Sequence, residues 1–270
     1  MVSPSRFGSA EFSRNAAKIV SLLLIGLASC SDDTAGGTPD SGQPTSDAGD
    51  GALRGGALYD NLVTVLKLTP PTADHPLWAT RPDMTTNTLK GAETWRCKEC
   101  HGWDYKGAAG AYASGSHKTG FAGILGTTKT EAEIVESLKN KHGYSMLGVS
   151  DAAISDLAKF AKQDLIDTSP IVESSKAFKG DAAKGKMLYA GTCQTCHLEN
   201  GLSDKPTGSA GMFDEFPGKI ASDNPWEFTH KVRFGQPGYE MPPQARVLTL
   251  AQLGDLGAHV QTLPKAPTAP

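Results

Sequence analysis

The chain has 270 residues, of which 39% are apolar, and its 26 basic and 29 acidic residues nearly cancel. This balance excludes nucleic-acid binding driven by net positive charge, and no apolar run is long enough to predict a membrane-spanning helix. Thirty glycines and 17 prolines indicate many loops. The protein core is therefore thin for the length, unless a bound group helps to fill it.

The first 29 residues have the pattern of an export signal. A segment with three basic residues and one acidic residue is followed by the short apolar run IVSLLLIGL at residues 19–27. The next residues, Leu-Ala-Ser-Cys, resemble a bacterial lipoprotein box, which implies cleavage before Cys30 and a lipid on its thiol. The alternative is ordinary signal cleavage that leaves the Cys30 thiol free.

Residues 30–56 are predicted to form a flexible tether. Residues 31–50 contain five aspartates, no lysine or arginine, and nothing larger than glutamine. Such a segment cannot bury enough apolar surface to fold. The sequence therefore predicts an exported domain anchored to a bacterial membrane through lipid, facing the periplasm or the cell surface. Ser31 stands where some bacteria use aspartate for inner-membrane retention, which favours the outer membrane.

An N-terminal extension is predicted between residue 57 and the first cysteine motif. Leu58, Leu62, Val65 and Leu66 recur at helical spacing, and residues 69–83 are proline-rich and irregular. We expect this helix and arm to pack on the domain that follows. The alternative is that the arm, which contains His75, covers a haem edge or the interface between the halves.

Two C-x-x-C-H motifs carry the chemistry of the chain. Their members are Cys97, Cys100 and His101 in the first motif, and Cys193, Cys196 and His197 in the second. This is the attachment pattern of haem c, in which both thiols bind one porphyrin and the histidine binds its iron. The pattern predicts two covalently bound haem c groups.

The cysteine count supports this interpretation. The chain has five cysteines, of which four lie in the two motifs and the fifth is Cys30. A zinc site or a thioredoxin-like pair would be the alternative. Zinc-binding pairs usually lie much closer in sequence than Cys97 and Cys193, and a redox pair would not explain a histidine after both motifs.

Each half resembles a class I c-type cytochrome, a family in which a methionine late in the domain is the second axial ligand of the iron. The resemblance implies Met146 for the first haem and Met241 for the second, because both stand in a G-Y-x-M context. Met241 is followed by two prolines, as in the family, whereas Met146 is followed by leucine. The rival ligands are His142 or His117 in the first half and His230 in the second.

The resemblance implies an all-α fold with two tandem cytochrome c domains, over residues 57–170 and 171–264, and a tail at 265–270. Gly185 and Tyr189 are expected to pack against a late helix, and Gly91 and Trp95 have the same spacing in the first half. Helices are predicted to begin after four capping residues. These are Thr130, Ser150, Asn224 and Thr249.

Iron with both axial positions filled favours outer-sphere one-electron transfer over substrate conversion. The sequence therefore predicts an electron carrier between periplasmic or membrane redox proteins, with no nucleic-acid partner. The alternative is a dihaem redox enzyme, peroxidase-like or a sulfur-compound dehydrogenase, with a releasable ligand at the first haem. Aromatic residues near the motifs are expected to wall the haem pockets or to donate hydrogen bonds to the haem propionates. These are Trp95, Trp103, Tyr105, Tyr112 and Trp226.

Overall fold

A computed structural model describes residues 46–203 and 215–267 of the chain. The predicted signal segment, Cys30 and the first part of the predicted tether lie outside these ranges. Within them, the regular elements are helices, joined by loops that carry two isolated β-bridges. No helix in the described part of the chain is both long and apolar enough to cross a membrane.

The α-helices divide between a first half, up to residue 170, and a second half that follows it. They are α1 (Ser46–Leu66), α2 (Cys97–His101), α3 (Glu131–Glu136), α4 (Asp151–Gln163), α5 (Ala182–Thr192), α6 (Gln194–His197), α7 (Pro217–Asp223), α8 (Pro225–Phe234) and α9 (Leu250–Val260). A π-helical turn at Ser137–Lys141 continues α3, and short 3₁₀ turns lie at Pro76–Thr80, Gly91–Trp95 and Ala111–Ala113.

The first half is built on the packing of α1 against α4. The predicted apolar stripes of both helices are buried at this contact, including Leu58 in α1 and Ile154 in α4. Helix α1 begins at Ser46, so residues 46–56 are helical where a flexible tether was expected. The reason is tertiary packing: the small Gly55 lets α1 approach the backbone of Asp156 closely enough that a Cβ would collide with its carbonyl oxygen.

The second half repeats this arrangement with α5 and α9. Gly185 in α5 lies against the backbone of Asp255, where a Cβ would again meet the carbonyl oxygen. Tyr189 is buried one turn later, and its ring lies edge-on to His259, with the ring centroids 5.4 Å apart. The predicted close approach of α5 to a late helix is present.

The counterpart of this pair in the first half is Gly55 and Tyr59, so the expected equivalence with Gly91 and Trp95 is wrong. Tyr59 donates a hydrogen bond from its hydroxyl to the carbonyl of Gly102 at 2.6 Å. Tyr189 donates in the same way to the carbonyl of Leu198 at 2.8 Å. Each acceptor directly follows the histidine of its motif, so residues 67–95 form an insertion between the first helix and the first motif.

Helix α8 joins the two halves. Its residues 228–234 are all buried, because the helix has the core of the second half on one side and that of the first half on the other. Phe228 packs with the second core, and Phe234 packs against Phe160 in the first, with ring centroids 5.2 Å apart. A second link between the halves is an ion pair in which Arg246 donates to both carboxylate oxygens of Asp164, at 2.7 and 2.6 Å.

Candidate cofactor-binding sites

The first motif opens onto a cavity of about 700 Å³. Helix α2 is a single turn, so it places Cys97, Cys100 and His101 along the same cavity wall. The Nδ1 of His101 lies 2.8 Å from the carbonyl oxygen of Ala122, to which its N–H donates. This hydrogen bond orients the ring and leaves Nε2 as the nitrogen that can bind a metal.

The walls of the cavity are mostly apolar. The lining includes Ile124, Leu125, Ile134, Leu138, Leu157 and Phe160. The aromatic residues on the wall also include Tyr59, Phe121 and Tyr144. The volume is in the range of ligand pockets, roughly 300–1,000 Å³. Two thiols and a metal-binding nitrogen on an apolar cavity of this size fit a haem c attached to the first motif.

The aromatic residues expected beside the first haem do not line this cavity. Trp95 and Tyr105 belong to the core of the first half, and neither lines the cavity. Trp103 lies at the contact with α8, where its ring centroid is 5.0 Å from that of His230. Tyr59 and Tyr144, which line the cavity instead, come from α1 and from the loop before α4. Only tertiary structure brings them to the motif.

The thiols of the first motif do not have the character of catalytic or metal-binding cysteines. Burial raises the pKa of Cys97 to about 11 and that of Cys100 to about 12. Thiolate nucleophiles and thiolate ligands instead have a lowered pKa, from nearby positive charge or a metal. Both thiols are therefore neutral in this environment.

The candidate second ligands of the first site lie in different places. His142 lines the cavity, and its Nδ1 lies 3.0 Å from the carbonyl oxygen of Ser137. Met146 is 80% exposed and is not among the lining residues. His117 is hydrogen-bonded to Glu99 at 2.9 Å and stacks on Tyr112, also away from the lining.

His75, in the proline-rich arm that could cover a haem edge, lines the cavity. It belongs to the insertion, is 5% exposed, and packs edge-on against Trp95 with ring centroids 4.7 Å apart. Its Nδ1 accepts a hydrogen bond from the Leu77 amide. Burial, reinforced by His142 and His101, lowers the pKa of His75 to about 4, so the ring is neutral. No motif marks a histidine that lies 26 positions before the haem-binding histidine.

The second motif lies at the end of α5 and in α6. Cys193 and Met241 both pack against the core of the second half, whereas Cys196 is exposed and His197 is half-buried. Residues 204–214, which include Met212, lie outside the described ranges. His230 does not fit as a ligand here: its Nδ1 is bonded to the Tyr105 hydroxyl and its Nε2 to the carbonyl of Gly56, both in the first half.

Residues 180–260 match the family model for subunit III of cbb3-type cytochrome c oxidase. The match covers the second motif, Met241 and helices α5 to α9. This part of the chain is similar to a cytochrome c domain, and the similarity supports covalently bound haem c and a haem-based role in electron transfer. No solved structure matches the chain.

Proposed function

We propose that this c-type cytochrome binds one haem c in each half and carries electrons, one at a time, between two redox partners. One observation carries the proposal. In each half, a tyrosine four residues after the close-packed glycine donates its hydroxyl to the carbonyl that directly follows the haem-binding histidine. The first half, which lies outside the family match at residues 180–260, thus shares these tertiary contacts with the second half, which contains the match.

The chain's own residues would prepare each site for electron transfer. When bound, a haem supplies one reversible Fe(II)/Fe(III) step. In the first half, the Ala122 carbonyl fixes the ring of His101, and the apolar walls exclude water. In the second half, His197 and Met241 would hold the iron, and a thioether ligand would raise the reduction potential.

Haem content tests this proposal. The full chain would be produced in cells with a haem c maturation system, and its haem-bearing tryptic peptides would be identified by mass spectrometry. We expect haem on the peptides of both motifs. Replacing Cys97 and Cys100 by serine should remove one haem, and replacing Cys193 and Cys196 should remove the other. Haem on only one motif in the unaltered protein would overturn the dihaem proposal, whether or not the variants fold.

We further propose that the protein is exported and held on a bacterial membrane through lipid on Cys30, facing the periplasm or the cell surface. The support is the apolar run at residues 19–27 and the lipoprotein box that follows it. The partners would then be other periplasmic or membrane redox proteins. Cys30→Ala should move the protein from the membrane fraction to the soluble fraction, and its retention in membranes would contradict the lipid anchor.

A further inference from the structure

We infer that His142, rather than the expected Met146, binds the iron of the first haem opposite His101. This inference rests on the proposed function, because it requires a haem on the first motif. It makes the two haems chemically different: the first has two imidazole ligands, and the second has one imidazole and one thioether.

The spacing of the two rings carries the inference. Metal–imidazole bonds of about 2.0 Å place the centroids of two opposed imidazole rings roughly 6 Å apart, because each ring nitrogen lies about 1 Å from its ring centre. The ring centroids of His101 and His142 are 6.4 Å apart. Both rings line the same cavity as the two thiols.

The rings of His101 and His142 make the same kind of hydrogen bond. The Nδ1 of His101 is bonded to the carbonyl of Ala122, and the Nδ1 of His142 to the carbonyl of Ser137. A backbone carbonyl can only accept, so each ring carries its proton on Nδ1 and has a lone pair on Nε2. This is the arrangement that second-shell carbonyls give to metal-binding histidines.

The other candidates lack this arrangement. Met146 is 80% exposed, and its methyl group lies beside Gly143 on the outside of the turn. His75 accepts the Leu77 amide with Nδ1, so its neutral ring carries the proton on Nε2 and has no lone pair left for iron. We assign His75 to the cavity wall, where its ring packs beside that of His142 with the ring centroids 6.0 Å apart.

The ligand difference would set the direction of electron flow. A thioether ligand raises the potential of a haem, and the first haem would lack one. The first haem would therefore have the lower potential, and an electron delivered there would move downhill to the second.

The test uses the oxidised, full-length protein with both haems attached. The far-red absorption band of methionine sulfur on ferric iron should have the intensity of one such ligand per two haems. Electron paramagnetic resonance should show a second low-spin signal from a haem with two imidazoles. Met146→Ala should leave both spectra unchanged. His142→Ala should convert half of the haem to a form that binds carbon monoxide when reduced, and added imidazole should restore the low-spin signal.

His75→Asn is the matched control, because it alters a neighbouring ring on the same wall without removing an iron ligand. It should keep the low-spin signal of the first haem. Two results would overturn this inference and leave the proposed function intact. One is a far-red band in the unaltered protein with the intensity of one methionine ligand per haem. The other is the loss of half of that band in Met146→Ala. A protein without haem on the first motif would overturn the proposed function and, with it, the inference. The unaltered protein and Met146→Ala decide whether Met146 binds the first iron even if His142→Ala does not fold.

Discussion

The Nζ of Lys231 in α8 lies 3.0 Å from Oδ2 of Asp60 in α1, and this ion pair connects the two halves of the chain. Arg96 holds the other carboxylate oxygen at 2.6 Å, one residue before the first motif. Asp60 is 1% exposed. Burial opposes its charge, but Lys231 and Arg96 prevail and lower the pKa of Asp60 from 3.8 to about 2. The carboxylate therefore remains ionised inside the protein.

Removing one partner from this buried ion pair should destabilise the folded protein. Lys231→Met should lower the free energy of unfolding by about 3 kcal/mol, because Asp60 would keep its charge with one cation fewer. Denaturant unfolding, followed by circular dichroism, would measure the change. Lys219→Met is the control, since this exposed lysine pairs with Glu215 and Asp223 at the surface and should cost less than about 1 kcal/mol. Equal effects of the two variants would contradict this role for Lys231.

The buried His230 should make the protein sensitive to mild acid. Burial lowers its pKa from 6.5 to about 3, an effect that Asp60 opposes and Lys231 reinforces. The unfolded chain therefore binds a proton below pH 6.5 that the folded protein rejects, and stability falls as the pH drops from 6.5 towards 3. Between pH 7 and pH 5, His230→Gln should lose about 2 kcal/mol less stability than the unaltered protein. Parallel stability–pH curves for the two proteins would refute this.

The contact between α5 and α9 should tolerate no side chain at Gly185. A Cβ there would meet the carbonyl oxygen of Asp255 and lie 2.8 Å from the Cβ of His259. Gly185→Ala should therefore destabilise the protein by about 1–3 kcal/mol, through overpacking. Gly191→Ala is the matched control in the same helix, because no atom lies within 4 Å of its added methyl group. It should be neutral or stabilise the helix by up to about 1 kcal/mol. Thermal unfolding would compare the two.

Met241→Ala should open the second haem to an external ligand. If Met241 is the axial ligand proposed above, the variant should keep both haems attached, lose the far-red sulfur band and bind carbon monoxide at half of its reduced haem. His230→Gln should leave that band in place, because both of its ring nitrogens are bonded within the first half. An unchanged spectrum in Met241→Ala would show that another group binds this iron.

The local features of the fold could be predicted from the sequence. Thr130 and Thr249 form the capping boxes that their neighbours indicate, and Ser150 and Asn224 cap α4 and α8. Each of these signals depends on residues three positions apart. The two cysteines of each motif are also three positions apart, and each motif lies at a helical turn.

The long-range contacts could not be predicted in this way. Gly55 and Tyr59 have the same four-residue spacing as Gly91 and Trp95, and spacing alone does not show which pair meets a late helix. Of Gly55 and Gly91, it is Gly55 that lies where α1 crosses α4. Likewise, Met146 and Met241 share a sequence context, but the turn before Met146 directs that side chain to the surface. Which side chain faces a cavity depends on how distant elements pack.

The burial of α8 between both cores also bears on the kinetics of electron exchange. A helix that packs into both cores ties the two halves together in the folded protein. Two redox centres held by this frame would keep a constant separation and orientation. Their exchange of electrons should therefore be ungated, with a rate that does not change with solvent viscosity.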